Sequence, residues 1–505
     1  MKKIQIQLIL ILLFASIAVS KAQYAEDALR FSRLSVYGTA RTQSMGGVGI
    51  ALGGDMSNAN INPAGLGMLR KSEFSTSLGI GASSTETDFL GETTPDSKTI
   101  GALNHIGIVI AMPNDEKGSK WRGGSFGISV MRTNNFQNQF SYQGTNTQSS
   151  KTDFYVDEAW GIPLGQLQNL QDYPEYEYLR AAYFAFLINP YSTQDQPNAY
   201  FTGFRNENED LFEDAIQQSE SLNTKGGQYN WNFSYGGNFD DKLYFGFSMG
   251  IATLNYKRAQ LYRESMDSQE SLLESFEEKN DYRVRGTGVN LSMGLQFRPV
   301  DFFRIGVTAT TPTWYDMREQ FQTFFSSRAY DDEGVLGTYN EQTLPGEFRY
   351  RLSTPWRLGA GLAVFIQKYG FITAEAEYSA FDSMKLTNAE FTEFFAGENQ
   401  TIRTTYQPAW TYRIGGEFRY DIFRGRVGAA LQTNPYSNVN NFDSKILNIT
   451  GGLGVRMDKW YADLAVVNTS FDSTYQPYTS ELYAAPKAQT RNNFTTGTIT
   501  VGFHF

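Results

Sequence analysis

From Phe74 to the C-terminus the chain repeats one pattern: apolar side chains at every second residue, in short runs separated by turn-forming residues. Period two marks a β-strand whose two faces meet different surroundings. Trp356, Leu358, Ala360, Leu362, Val364 and Ile366 share one face, and Arg357, Gly359 and Gly361 point the other way. Ile372, Ala374, Ala376 and Tyr378 then oppose Thr373, Glu375 and Glu377, so these two runs read as a hairpin turned at residues 367–370. Such runs predict fourteen strands, near 74–82, 103–112, 123–142, 227–239, 243–260, 282–297, 302–316, 347–366, 371–382, 405–420, 426–432, 447–457, 460–470 and 491–505.

A soluble sandwich also alternates, so the connections decide. Long ones (83–102, 143–226, 261–281, 317–346, 383–404, 433–446, 471–490) alternate strictly with tight ones at 237–242, 298–301, 421–425 and 458–459. All long loops therefore leave one side. That is the layout of an outer-membrane barrel. Charge placement agrees: the apolar stripes carry no Lys or Arg, each of which would cost about 2–4 kcal/mol at mid-bilayer. Arg304, Arg357, Glu375, Glu377, Arg413, Glu417, Arg426, Arg456 and Asp463 fall on the opposite face. The fold class is thus an all-β, fourteen-stranded antiparallel transmembrane β-barrel with a polar lumen wall, closed because an open edge in hydrocarbon leaves backbone groups unpaired.

Residues 1–22 read as a signal peptide: Lys2 and Lys3 precede an apolar stretch, and Ser20-Lys21-Ala22 offers small residues for cleavage. Losing Lys2, Lys3 and Lys21 takes the net charge from −10 to −13. That acidity argues against a nucleic-acid partner. With no Cys and only His105 and His504, disulfides, thiolate metal sites and Ser-His catalysis lack their residues, so neither an enzyme nor a metal site is expected, and no cofactor. The histidines invite a haem-ligand idea, but the strand assignments set them far apart along the barrel. Glu375 and Glu377 read as neighbours in the lumen wall rather than a glycosidase pair.

Residues 23–72 break the barrel pattern. A short helix is expected at 25–31, followed by Met45-Gly46-Gly47-Val48-Gly49 and then Asn62-Pro63-Ala64. The Met-Gly-Gly run and the Asn-Pro-Ala core resemble the N-terminal hatch of the FadL family of outer-membrane transporters for long-chain fatty acids and other hydrophobic compounds. Strand number, Thr354-Pro355-Trp356-Arg357 and a terminal Phe505 preceded by Phe503, Val501 and Ile499 extend the likeness; the last resembles the signal read by the barrel insertion machinery. The resemblance implies a hatch over 23–72 plugging a barrel over 73–505, in the outer membrane of a Gram-negative bacterium. It further implies loop capture of a hydrophobic small molecule, a site within the barrel, and lateral exit to outer-membrane lipid through a kinked third strand, in a monomer.

Two segments bear on that mechanism. The third strand breaks into Arg132-Thr133-Asn134-Asn135, which reads as an inward bend or as a strand that has left the hydrocarbon zone. The 143–226 loop carries Trp160, Tyr176, Tyr183, Phe184 and Phe186, with helix-like stretches near 176–188 and 207–222; its aromatics form a capture surface or the loop's own core. The expected function is passive uptake of hydrophobic compounds, with long-chain fatty acids first. The alternatives are a secretion or interaction barrel binding protein cargo through its outer loops, or a porphyrin or haem receptor.

Overall fold

The computed structural model describes residues 21–191, 198–205, 211, 215–267, 271–331, 333–389, 393–437 and 443–505. Apart from Lys21 and Ala22, the leader read in the sequence lies outside them. Fourteen antiparallel staves form one closed sheet: β1 (Glu73–Phe89), β2 (Glu92–Pro113), β3 (Trp121–Asn135, resuming at Asn138–Asn146), β4 (Ile216–Phe239), β5 (Leu243–Ser265) and β6 (Leu273–Val300). Stave β7 joins Phe303–Thr310 to Trp314–Tyr330, β8 joins Leu336–Gln342, Gly346–Ser353 and Arg357–Ile366, and β9 is Gly370–Ser379 with Lys385–Thr387. The last five are β10 (Ala409–Tyr420), β11 (Phe423–Gln432), β12 (Ile446–Arg456), β13 (Trp460–Tyr475) and β14 (Ala488–His504). The cylinder closes where β1 pairs with β14, from Glu73↔His504 to Asp88↔Gln489. The ladder there runs without a register shift.

The expected stripes face outward. Leu291, Met293, Leu295 and Phe297 are each about half exposed, whereas Asn290, Ser292 and Gln296 between them are buried. Ile372 is exposed and its neighbours Thr373 and Glu375 are buried. No helix among the described residues is long and apolar enough to cross a membrane. The hairpin at 367–370 turns with Gln367 and Gly370 at positive φ, and Asp240 and Asp241 make a second tight turn in the same region of φ.

The strands outrun their predicted ends on the long-loop side. The connection at 83–102 is mostly ladder, turning at Leu90-Gly91, and those at 261–281 and 317–346 are largely strand too. Above the hydrocarbon both faces of a strand meet polar groups, so hydropathy stops alternating while backbone pairing continues. Residues 216–222, read as helix, are strand, held between Asn138–Asn146 and the upper part of β5. Tertiary pairing overrides local propensity there. The helix expected near 176–188 is present as Glu177–Phe184.

Inside the cylinder, α1 (Lys21–Ser32) buries Tyr24, Ala28 and Phe31 against inward-facing Tyr256, Tyr282, Tyr315 and Tyr350. Spacing of three and four residues places these on one helix face. Tyr24 and Tyr282 donate to Glu319, at 2.8 and 3.1 Å. At the other end of the lumen run two short helices, α2 (Ala40–Gln43) and α3 (Asn58–Ile61), and a 3₁₀ turn at Pro63–Met68.

Because Leu295 faces outward within the apolar belt, Leu295→Arg should lower folding stability by about 2–4 kcal/mol in urea titrations in lipid vesicles. An unchanged midpoint would mean that this face does not meet hydrocarbon.

Candidate functional site

The Met-Gly-Gly and Asn-Pro-Ala stretches lie against the lumen wall. Asn62 is fully buried; its Oδ1 accepts from the Ala64 N–H at 3.1 Å, and its Nδ2 donates to the Ile50 carbonyl at 2.7 Å. Pro63 at the start of the 3₁₀ turn needs no N–H partner there. Gln296 on β6 donates to the carbonyls of Ile50 and Leu52, at 2.7 and 2.6 Å. Glu375 on β9 accepts from the N–H groups of Gly49, Ile50 and Ala51, at 2.9, 2.7 and 3.3 Å. One wall residue thus takes the segment's carbonyls and another its amides. Gly246, Gly306 and Gly428 face inward where backbone passes: a Cβ on each would overlap Pro63, Ile50 and Met45 respectively. Gly46 sits at φ +75°, and a side chain there would also strike the Ala429 carbonyl.

The lumen charges expected from the sequence are inward and mostly paired. Arg413 lies 3.4 Å from Glu377, and Arg426 reaches both Glu417 and Asp463 at 2.7 Å. Arg41 of the N-terminal segment bridges Glu417 at 3.5 Å and Asp55 at 3.9 Å. Arg357, Glu377 and Tyr37 line a small hollow. Arg304 lies over the Phe365 ring and donates to the Met68 sulfur. Glu375 and Glu377 part company: one holds backbone, the other an arginine.

Above this layer lies a cavity of about 420 Å³ between α1 and the wall. Leu29, Leu34, Phe136 and Tyr256 give it apolar surface, and Arg30, Arg33, Arg132 and Arg258 bring cationic groups. Arg30 pairs with Asp27, and Arg33 donates to Ser444 at 3.0 Å. Ile80 also belongs to the lining, and it is 69% exposed on the outer wall. Ile100, Ala102 and Asn104 of β2 and Arg132, Asn134 and Asn135 of β3 line it as well, so the cavity lies against the wall between β2 and β3.

The wall there is not continuously paired. The β2–β3 ladder runs from Pro113↔Gly123 to His105↔Met131, and among the described residues it goes no further. β2 continues with β1 alone, while β3 shifts register between Arg132 and Asn134 and resumes at Asn138 against β4 alone. Side chains span the interval: Lys98 Nζ donates to the Thr224 carbonyl at 2.5 Å, Asp96 accepts from the Ser141 N–H at 2.6 Å, and Gln137 reaches the Gly101 carbonyl at 3.4 Å. Arg132, Thr133, Asn134 and Asn135 sit in this break. Asn134 donates to the carbonyl of Arg33 at 2.8 Å, and the Ser35 N–H donates to the Thr133 carbonyl at 3.0 Å. The break is thus tied to the end of α1.

In the 143–226 loop, Tyr176, Tyr183 and Phe186 pack against a buried cluster that includes Tyr155, Phe276 and Phe325. Phe184 is half-buried beside Tyr183, with Arg180 over its ring, and Trp160 is 60% exposed. Phe276 and Phe325 are inward-facing residues of β6 and β7, so this loop packs on the barrel's mouth. The two histidines are closer than the sequence suggested. β2 begins at Glu92 instead of near residue 103, so His105 lies well down the strand, opposite Ser77, and His504 is opposite Glu73. Four residues of β1 separate them, roughly 13 Å. His105 is buried against Ser75 at 3.0 Å, and neither imidazole lines the cavity.

Gln296, the seating glycines, Arg30 and Arg33 were not singled out from the sequence. For the glycines a signal existed, inward glycines such as Gly359 and Gly361 on the polar face of a strand.

No family model and no curated protein sequence matches the chain. Its architecture is that of solved outer-membrane barrels. A FadL homologue from Pseudomonas aeruginosa superposes with a TM-score of 0.57 at 12% identity, covering 94% of this chain and 99% of that one. The toluene transporter TodX of Pseudomonas putida gives 0.53 at 12% identity, over 93% and 99%. The CymD monoaromatic hydrocarbon channel gives 0.50 at 12% identity, over 93% and 98%. At such identities the likeness is one of fold: a FadL-type fourteen-stranded barrel.

Replacing Gly246 or Gly306 by Val should push the N-terminal segment off its seat. Planar-bilayer recordings should then show ion conductance rising several-fold over the parent. Unaltered conductance in both variants would mean that the glycine contacts do not hold the lumen closed.

Proposed function

We propose that the chain is an outer-membrane protein of a Gram-negative bacterium, a FadL-family barrel that takes up hydrophobic small molecules passively, without catalysis. Residues 23–72 act as its hatch. Cargo enters the cavity beside α1 and leaves sideways through the break between β2 and β3 into lipid. The observation that carries the reading is that one cavity extends from Arg33 and Tyr256 to Asn104 of β2 and Asn135 of β3, beside the point where the ladder between these strands stops. A cavity of about 420 Å³ falls within the range of small-molecule sites. Lateral exit suits such a cargo, since each CH₂ kept from water retains about 0.8 kcal/mol. Two structural neighbours, a toluene transporter and a monoaromatic hydrocarbon channel, support the same class of cargo.

The lining favours an amphiphile with an anionic head over a neutral ring. Arg33 and Arg132 border the apolar surface, and neither has a carboxylate within ion-pair distance among the described residues. A carboxylate held between them would leave its chain along Leu29, Leu34 and Phe136. Long-chain fatty acids fit this description. Trp160, exposed in the 143–226 loop, would make first contact.

The test is uptake of radiolabelled oleate and of toluene by cells producing the protein. Arg33→Gln with Arg132→Gln should cut oleate uptake about tenfold and leave toluene uptake within twofold. Equal loss of both would remove the carboxylate-binding role, and oleate uptake no greater than in cells lacking the protein would remove the transport reading.

A further inference from the structure

Outside the lumen, one sector of the outer wall carries a charge pattern that transport does not use. Just above the apolar belt, the ladder places Asn255, Arg285, Arg318 and Arg349 side by side on β5, β6, β7 and β8. All four face outward and are exposed. The rung above holds Lys257, Arg283, Gln320 and Glu347, and the rung below holds Thr253, Thr287, Asp316 and Arg351. Lys385 follows one rung lower, on a level with Val289 and Trp314. Seven cationic side chains thus share this band with two acids, Asp316 and Glu347. Among the described residues, the ion pairs here are those of Glu347 with Arg318 and Arg349.

Like charges directly opposite on adjacent strands repel. Glu347 offsets this for Arg318 and Arg349, whereas among the described residues Arg285, Arg283, Lys257, Arg351 and Lys385 have no carboxylate within ion-pair distance, so a further anion across the row would be favourable. Higher on the same staves the charges are paired: Arg263 with Glu277, Lys279 with Asp281, and Arg328 with Glu274. On β1, about half-way round the barrel, Arg491 meets both Glu86 and Asp88. The cationic surplus is thus local to β5–β8, at the boundary between the belt and water. A hollow of about 570 Å³ opens at the same place, with Val289 and Trp314 on its apolar side and Arg351 and Lys385 on its basic side. It forms where β7 is interrupted at residues 311–313 and β8 at 354–356.

We infer that this face binds a phosphorylated, multiply acylated saccharolipid of the outer leaflet, the lipid A part of lipopolysaccharide. Its phosphates lie on the Arg285, Arg318 and Arg349 row, and an acyl chain runs down the hollow past Trp314 and Val289. Guanidinium groups pair bidentately with phosphate oxygens, and strands about 4.8 Å apart set the three groups at a spacing one phosphorylated sugar can span. A phospholipid of the other leaflet would not reach this band, since it lies on the side of the long loops. The inference rests on the outer-membrane reading, but not on cargo identity or on the route through the wall.

The experiment uses the full-length folded protein in detergent, with purified bisphosphorylated lipid A, dephosphorylated lipid A, phosphatidylglycerol and inorganic phosphate as separate probes in native mass spectrometry. Lipid A should be retained, and Arg285→Gln/Arg318→Gln/Arg349→Gln should weaken retention at least tenfold. Arg263→Gln/Arg328→Gln, which removes paired arginines higher up, should stay within twofold of the parent. Heat-modifiable gel mobility checks that each variant is folded; if the triple variant is not, Arg285→Gln and Arg351→Gln singly should each weaken retention about threefold. Undiminished retention by the arginine variants, or equal retention of dephosphorylated lipid A, would overturn the inference. So would retention of phosphatidylglycerol equal to that of lipid A, or displacement by inorganic phosphate at equimolar concentration. Oleate uptake by the folded triple variant should remain at the parent level, so failure here and failure of the transport reading are told apart.

Discussion

Backbone hydrogen bonding in a solvent that offers none is the constraint on which the rest of this molecule depends. Within hydrocarbon each unpaired N–H or C=O costs several kcal/mol, so the sheet must return to its own first strand. It does so in the long ladder between β1 and β14. Closure then separates two worlds: an outer face of Leu, Ile, Phe and Trp, and an inner face of Ser, Thr, Asn, Glu and Arg. A polar cylinder of this width would conduct water and ions. The proposed hatch would meet that need, and the backbone of the N-terminal segment is held from both sides, its amides by Glu375 and its carbonyls by Gln296.

The same constraint gives meaning to the one interruption beside the cavity. Between β2 and β3 the ladder stops at His105↔Met131, and side chains replace it. Backbone groups forgo strand partners there, which is costly on a lipid-facing surface; the proposed lateral exit would account for that cost. The Thr133 carbonyl recovers a partner in the Ser35 N–H, and the Asn134 side chain adds a bond to the Arg33 carbonyl. Such bonds couple the position of α1 to the width of the break. Cargo lying on Arg33 and Phe136 would touch both.

The fourteen staves could be read from the sequence because lipid imposes one-sided apolarity, and a period-two stripe such as Leu291, Met293 and Leu295 survives any loop variation. Where the strands rise above lipid that pressure ends; Ser83, Thr85 and Thr87 continue the ladder without a hydropathy signal, and their length was missed. His105 was misplaced for the same reason. The polar wall was legible residue by residue, but not its division of labour. Nothing local distinguishes Glu375, which holds backbone of the N-terminal segment, from Glu377, which holds Arg413. The cavity was illegible because it forms only when α1 docks against staves remote in sequence. The break at Arg132–Asn135 was visible as polar residues, and its meaning required the register of β2.

The native chain has no cysteine, which makes the wall break directly testable. Gly101→Cys with Gln137→Cys places one thiol on each side, and a Cβ at Gly101 meets no neighbour within 4 Å. Bridging the pair with a short, reductively cleavable bis-maleimide and measuring oleate uptake tests the route itself. Uptake should fall at least tenfold when the bridge is formed and recover on cleavage, with either single-cysteine variant unaffected. Uptake that continues at the parent rate through a bridged wall would contradict lateral exit between β2 and β3.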